Sequence, residues 1–247
     1  MINLSVNINK VATVRNSRGG TVPSVVEAAR VCIEAGVQGI TVHPRADARH
    51  ITLEDVRELA GLLAAYKGRV EFNIEGDPRP DFLDLVMEVQ PDQCTLVPVV
   101  PGEITSSVGW RAETGGPTLA AAISRLRSAG IRVSLFVDAV PDPIRWAATA
   151  GADRVELYTE PYARASETGA DAQRRSFETF LTAAELAHAL GLGVNAGHDL
   201  HLENLVLFRS LPHLDEVSIG HAIVSRAVFV GLSIAVREYL DVLQRGQ

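Results

Sequence analysis

Alternation of apolar and polar residues marks eight short extended runs along the chain. In "VEFNIEG" (70–76), Val70, Phe72 and Ile74 form one face and Glu71, Asn73 and Glu75 the other, the two-residue period of a β-strand. Comparable runs lie near 4–9, 39–43, 93–98, 132–138, 154–159, 193–197 and 216–220. Between them, apolar residues recur with helical spacing near 23–35, 53–66, 80–89, 117–129, 142–150, 172–190, 202–210 and 222–243. Thr52, Pro80-Asp81 and Pro117-Thr118 supply helix-start signals. Strict alternation of strand and helix implies parallel strands joined by crossover helices, and eight such pairs close a (β/α)8 barrel, the TIM-barrel architecture. An open doubly wound sheet is the alternative, but "NINKVATVRNSRGG" after the first strand contains no G-x-G-x-x-G. No Pro/Ser-rich linker or charge block divides the chain, so residues 1–247 are predicted to form a single α/β domain.

The barrel gives the polar strand faces a location. One face of each strand packs on the helices and must be apolar; the other points into the lumen. Parity then sends inward Ser5, Asn7 and Asn9, Thr41 and His43, Glu71, Asn73 and Glu75, Ser134 and Asp138, Glu156 and Tyr158, Asn195, and Glu216 and Ser218. The predicted lumen is partly polar. Buried carboxyl groups need water, arginine or one another as partners, which points to a hydrated interior. Glu216, at the start of its strand, equally fits an ion pair capping the barrel bottom.

Composition narrows the function. Apolar residues make up 47% of the chain, enough for a sizeable core. Cys32 and Cys94 lie in apolar segments without metal or redox spacing, as in a reduced, cytoplasmic protein. The opening "MINLSVNINK" has no basic stretch followed by an apolar run, so no signal peptide is expected, and no run is long enough to span a membrane. A formal charge of −7 without a basic cluster argues against nucleic-acid binding.

Active sites of this fold sit at the carboxyl ends of the strands. There the second strand runs into "VHPRADARH", bringing His43, Arg45, Arg49 and His50 into one loop, a cationic and titratable set suited to an anionic substrate and proton transfer. The last two strands end in "NAGHDL" and "SIGHAIVSRAV". Gly220 directly before a helix makes a phosphate cradle of free backbone N–H groups, flanked by His198 and His221. The His cluster raises a metal site, but ligand spacing is missing. Lys10, after the first strand, admits a Schiff base. The residues alone thus leave open a phosphate-binding isomerase, a Lys10 aldolase, or a non-catalytic sensor of a phosphorylated metabolite.

Together "SVNINKVATVRNSRGG", "GITVHPRADARHI", "VEFNIEG", "CTLVP", "VSLFVDA", "VNAGHDL" and "SIGHAIVSRAVFVGL" resemble the pyridoxine 5′-phosphate synthase family over essentially the whole chain. The resemblance implies condensation of 1-deoxy-D-xylulose 5-phosphate with 3-amino-2-oxopropyl phosphate to pyridoxine 5′-phosphate, releasing phosphate and water. It implies His43 and Glu71 as proton acceptors and His198 as proton donor. Asn7, Arg18, Gly220 and His221 would contact the aminoketone phosphate; Arg45, His50 and Thr105 would contact the pentulose phosphate. Thr105 falls in the long connection 98–110, expected to form a lid. The family is a homo-octamer without metal or redox cofactor. Two positions depart from its pattern: Asn9-Lys10 stands where many members have Asp-His, and Asp199 where Gly is familiar. Both are expected beside substrate phosphate, with the Asp199 carboxylate turned away.

Overall fold

In the computed structural model, which describes residues 1–99 and 108–244, eight parallel strands close a barrel in sequence order. The chain runs β1 (Asn3–Asn7), α1 (Asn9–Asn16), α2 (Val25–Ala35), β2 (Gly39–Val42), α3 (Leu53–Leu63), β3 (Glu71–Gly76), α4 (Pro80–Val89) and β4 (Gln93–Leu96). It continues α5 (Ala112–Ser128), β5 (Arg132–Val137), α6 (Pro141–Ala150), β6 (Arg154–Tyr158), α7 (Glu160–Thr168), α8 (Ala170–Ala189), β7 (Gly193–Gly197), α9 (Leu202–Phe208), β8 (Leu214–Ile219), α10 (His221–Val230) and α11 (Leu232–Gln244).

Local chemistry sets most helix ends. The Ser24 side chain accepts the Glu27 N–H at the start of α2, and Thr52 and Asp55 form a reciprocal capping box on α3. Proline opens α4 and α6. The helix start predicted at Pro117 coincides with a break inside α5, where Gly116 leaves helical geometry. Three helices were not apparent in the pattern. The first strand stops at Asn7 and α1 begins at Asn9; α7 precedes α8; and Gly231 divides the last helix into α10 and α11.

The apolar core lies between sheet and helices, with Leu4, Ile40, Ile74, Leu96, Val133, Leu135, Val155, Leu157 and Val217 fully buried on its strand side. The lumen is polar, as expected from strand parity. Ser5 and Thr41 hydroxyls meet at 2.7 Å, Asn73 donates to Thr41, and Thr95 donates to Asn73. Lower down, Arg132 reaches Gln93 and Glu71, while Arg154 donates to Asn195, which donates to Glu216. Glu216 is 1% exposed and belongs to this interior network. Apolar residues enter the lumen near the top, where Val97, Phe136 and Tyr158 form a small cluster separate from the main core.

At the foot of the barrel one interaction recurs every second strand. A side-chain oxygen at the start of an even-numbered strand, from the residue just before it or, in β8, from its second residue, accepts a backbone N–H from the preceding odd-numbered strand. Gln38 accepts from Leu4 (3.0 Å), Asp92 from Phe72 (2.8 Å), Asp153 from Val133 (2.9 Å) and Asp215 from Val194 (2.9 Å). The carbonyls of Gln38, Asp92 and Asp153 accept in turn from Glu71, Arg132 and Gly193 on the following strand. These clasps satisfy ladder ends that would otherwise stay unpaired.

Asp92→Ala, which leaves the Phe72 N–H without this acceptor, is expected to lower the unfolding free energy by about 1–2 kcal/mol. Asp92→Asn keeps an oxygen acceptor and should lose less. Urea denaturation of the three proteins measures the difference; equal losses would show that the charge, not the hydrogen bond, matters.

Candidate active site

At the carboxyl ends of the strands opens a cavity of about 400 Å³. Asn7, Asn9 and Lys10 reach it from the β1–α1 junction, and His43, Arg45, Arg49 and His50 from β2 and the loop after it. Glu75, Glu156 and Ser218 rise from the barrel floor, Val97 and Phe136 form an apolar wall, and His198, Asp199, Gly220 and His221 close the far side. Helix α1 anchors the cationic loop. Arg15 pairs with Asp55 through both terminal guanidinium nitrogens and donates to the His50 carbonyl, and Asn16 donates to the carbonyls of Arg49 and His50. From the other side, Arg79 donates to Pro44 O at 2.8 Å.

Asn9 links the first two strand ends. Its side chain accepts the His43 N–H at 2.9 Å while its own N–H donates to the Asn7 side chain at 3.1 Å. Beneath them, His43 Nδ1 lies 3.8 Å from Glu75 Oε2, to which Asn7 donates at 3.4 Å. Burial, reinforced by Glu216, pushes the Glu75 carboxyl up to about 8. Burial likewise holds Glu156 well above the carboxylate range, with Glu75 adding to it. Burial and the neighbouring Arg45 hold His43 well below the ordinary imidazole value, and burial brings His198 and His50 down to about 4. At neutral pH the site therefore presents neutral imidazoles beside a protonated carboxyl group. Such a pairing can both take and give a proton without creating a buried charge far from a partner.

His198 (φ 81°) and Asp199 (φ 58°) are consecutive non-glycine residues in the left-handed region, a conformation costing about 1–2 kcal/mol per residue. Three successive carbonyls of this turn are held. Thr159 shares its single hydroxyl proton between the carbonyls of Gly197 and His198, and the Asn204 amide donates to Asp199 O at 3.1 Å. The His198 ring packs 5.0 Å from Phe136 and 5.3 Å from Tyr158. The left-handed backbone at Asp199 explains physically why glycine suits this position. Gly220 has a different reason: an added Cβ would lie 2.8 Å from the backbone oxygen of Asn7.

The structure sets some of the expected residues apart from the cavity. Glu71 stands at the amino end of β3, where it pairs with Arg132 and has no part in the cavity. Glu75, on the same face and about 13 Å further along the strand, occupies the mouth instead. Asn9 is a helix residue rather than the last inward strand residue. Arg18 is exposed and does not line the cavity. Asp138 accepts from Gly109 N–H and pairs with Arg111 at the rim. Thr105 and the centre of the predicted lid lie outside the described residues. Asn7, Asn9, Lys10, Arg45, His50, Asp199, Gly220 and His221 do converge with His43 and His198 on the cavity. The sequence reading missed Val97 and Phe136, although Phe136 shares its parity with Ser134. Among the described residues, no group of three or more His, Cys, Asp or Glu is arranged to hold a metal ion, and no helix is long and apolar enough to cross a membrane.

Comparison with known proteins adds an independent line. A family model described as pyridoxal phosphate biosynthesis protein PdxJ matches residues 4–245. A pyridoxine 5′-phosphate synthase of Bacteroides thetaiotaomicron is 51% identical over 245 residues, covering 99% of this chain and 100% of the relative. One from Leptospira biflexa is 46% identical over 256 residues, covering 100% and 98%. Among solved structures, 3-hexulose-6-phosphate synthase from Salmonella typhimurium superposes with a TM-score of 0.66 at 14% identity, covering 100% of both chains. Phosphoribosyl anthranilate isomerase from Thermotoga maritima gives 0.63 at 13%, covering 99% of each. These two likenesses concern the fold.

The buried groups fix a pH dependence of stability. A carboxyl raised in the folded state binds more protons there than when unfolded, so stability falls as pH rises from about 4.5 through the folded value. A lowered imidazole acts oppositely, its contribution being lost as pH falls below about 6.5. The two offset in the acid range, and above about 6.5 the carboxyl effect stands alone. Unfolding free energy should therefore decline between about pH 6.5 and pH 8.5, and less steeply in Glu75→Gln. Parallel profiles for the two proteins would contradict a raised Glu75.

Proposed function

The chain belongs to the family of pyridoxal phosphate biosynthesis protein PdxJ, and on that premise we propose that it is an enzyme acting as a pyridoxine 5′-phosphate synthase. Its substrates are 1-deoxy-D-xylulose 5-phosphate and 3-amino-2-oxopropyl phosphate, and it releases phosphate and water. The observation that carries this reading is the His43–Glu75 pair (3.8 Å) sharing one cavity with His198, ringed by phosphate-binding groups. Joining an amine to a ketone expels water, so the departing oxygen must receive a proton. Expelling phosphate and closing the ring require protons to be taken from carbon. Both directions of transfer suit neutral imidazoles beside a protonated carboxyl group. His43 acts as acceptor; Glu75, protonated at rest, gives its proton before accepting one in the part expected of Glu71, and His198 serves as donor once it has taken a proton in an earlier step.

Two phosphates need two sets of donors. The start of α10 at Gly220-His221 offers unpaired backbone N–H groups and the positive end of the helix dipole to the aminoketone phosphate. Arg45, His50 and Lys10 line the opposite side of the mouth and suit the pentulose phosphate. The homo-octamer belongs to the same reading; Val228 and Phe229, strongly exposed on α10, supply apolar surface for subunit contact.

Purified protein given both substrates should form pyridoxine 5′-phosphate with release of phosphate, and omission of either substrate should abolish product. No product, together with a borohydride-trapped adduct on Lys10, would favour the aldolase reading instead.

Among variants, Glu75→Gln, His43→Ala and His198→Ala should each lose about 10²-fold or more in turnover. Glu71→Gln, remote from the cavity, should stay within about threefold of the parent. A large loss in Glu71→Gln with normal turnover in Glu75→Gln would reverse the assignment.

A further inference from the structure

The groups holding the left-handed turn at His198 and Asp199 lie outside the cavity and are fully enclosed. Thr159 is 0% exposed and Asn204 1%, although both side chains are polar. Thr159, at the end of β6, uses its hydroxyl on the carbonyls of Gly197 and His198, and its N–H also donates to Gly197 O at 2.9 Å. Asn204, in the first turn of α9, is oriented without ambiguity. Its Oδ1 accepts the His201 N–H at 2.8 Å, so its amide nitrogen must be the group donating to Asp199 O. Behind Asn204, the Tyr162 hydroxyl donates to its carbonyl at 2.7 Å and accepts from Gln173 at 2.8 Å. A continuous chain of hydrogen bonds, half-buried at Gln173 and buried from Tyr162 onward, therefore runs from α8 through α7 and α9 to the backbone that presents His198.

We propose that Thr159 and Asn204 are positioning residues for His198: by pinning the three carbonyls from Gly197 to Asp199 they impose the left-handed turn that seats the imidazole against Phe136 at the cavity wall. The inference rests on the proposed role of His198 in proton transfer. Its physical basis is that a turn of two non-glycine residues at positive φ persists only where its surroundings over-determine it. Neither Thr159 nor Asn204 lines the cavity, so a change in either should act on substrate only through the ring it places. A purely structural role would instead lower stability and leave the properties of the remaining folded enzyme unaltered.

Thr159→Val removes the hydroxyl donor at nearly constant shape, while Thr159→Ser keeps it. Asn204→Asp keeps the acceptor for His201 and removes the donor to Asp199. Thr159→Val and Asn204→Asp should each lower kcat about tenfold or more with KM for either substrate within about twofold, and Thr159→Ser should stay near the parent. Asp199→Gly relieves the backbone cost at the second residue. Combined with Asn204→Asp, it should recover most of the lost kcat, so that the Asn204 change costs less with Gly at 199 than with Asp. The His198 ring protons, shifted by the Phe136 and Tyr158 rings, supply an NMR readout that needs no substrate. In Thr159→Val and Asn204→Asp they should move toward unshifted values. Unmoved ring signals, unchanged kcat in both variants, or an equal cost of Asn204→Asp in the two backgrounds would each overturn the proposal. A parent enzyme that forms no pyridoxine 5′-phosphate would overturn the functional reading alone, since the ring signals would still report on the turn.

Discussion

Desolvation of carboxyl groups inside the barrel is the constraint on which the rest of the site depends. The outer faces of the strands are committed to the helices, so the polar faces have only the lumen. There Glu75, Glu156 and Glu216 lie too close together and too far from bulk water to ionise readily. Their arginine partners sit low: Arg132 is engaged by Glu71 and Gln93, and Arg154 by Asn195. Desolvation dominates for the upper carboxyl groups, Glu75 and Glu156, and keeps them protonated. The same burial keeps His43 and His198 neutral. Protonation states across the site follow from one arrangement.

That vertical arrangement also separates what was legible in the sequence from what was not. Strand alternation revealed the eight strands, the inward faces and the convergence of His43, His198 and Gly220, because each is a local property of spacing. It could not reveal depth. Glu71 and Glu75 share one face, and only the stagger of neighbouring strands decides which stands in the mouth: Gly39 pairs with Glu71 at the foot, while Thr95 pairs with Glu75 higher up. Helix α1 was hidden for a related reason. "SVNIN" continues its alternation through Asn9, but the chain turns there, with the Asn9 N–H on the Asn7 side chain and its Oδ1 taken by His43 from the next strand. Helix α7 buries only Tyr162 and Ala163, too small an apolar stripe to read.

Helices α1 and α7 have more bearing on the mouth than their small buried faces suggest. Through Arg15 and Asn16, α1 fixes the backbone of Arg49 and His50. Through Tyr162, α7 supports Asn204 and hence the His198 turn. Two sides of one cavity are therefore braced by elements that contribute little to the main core. The segments hardest to predict are those whose structure is determined by the site they support.

The four clasps at the foot of the barrel carry a different implication. Each side-chain clasp lies within one consecutive pair of strands, and a cut before β5 would leave all four intact, two in each half. The bond from the Arg132 N–H to Asp92 O crosses it, as does the β4–β5 ladder. The foot is thus a fourfold repeat beneath a mouth with no such symmetry. Relative strand height within each pair is therefore held locally at the foot, by a contact that involves none of the residues lining the mouth.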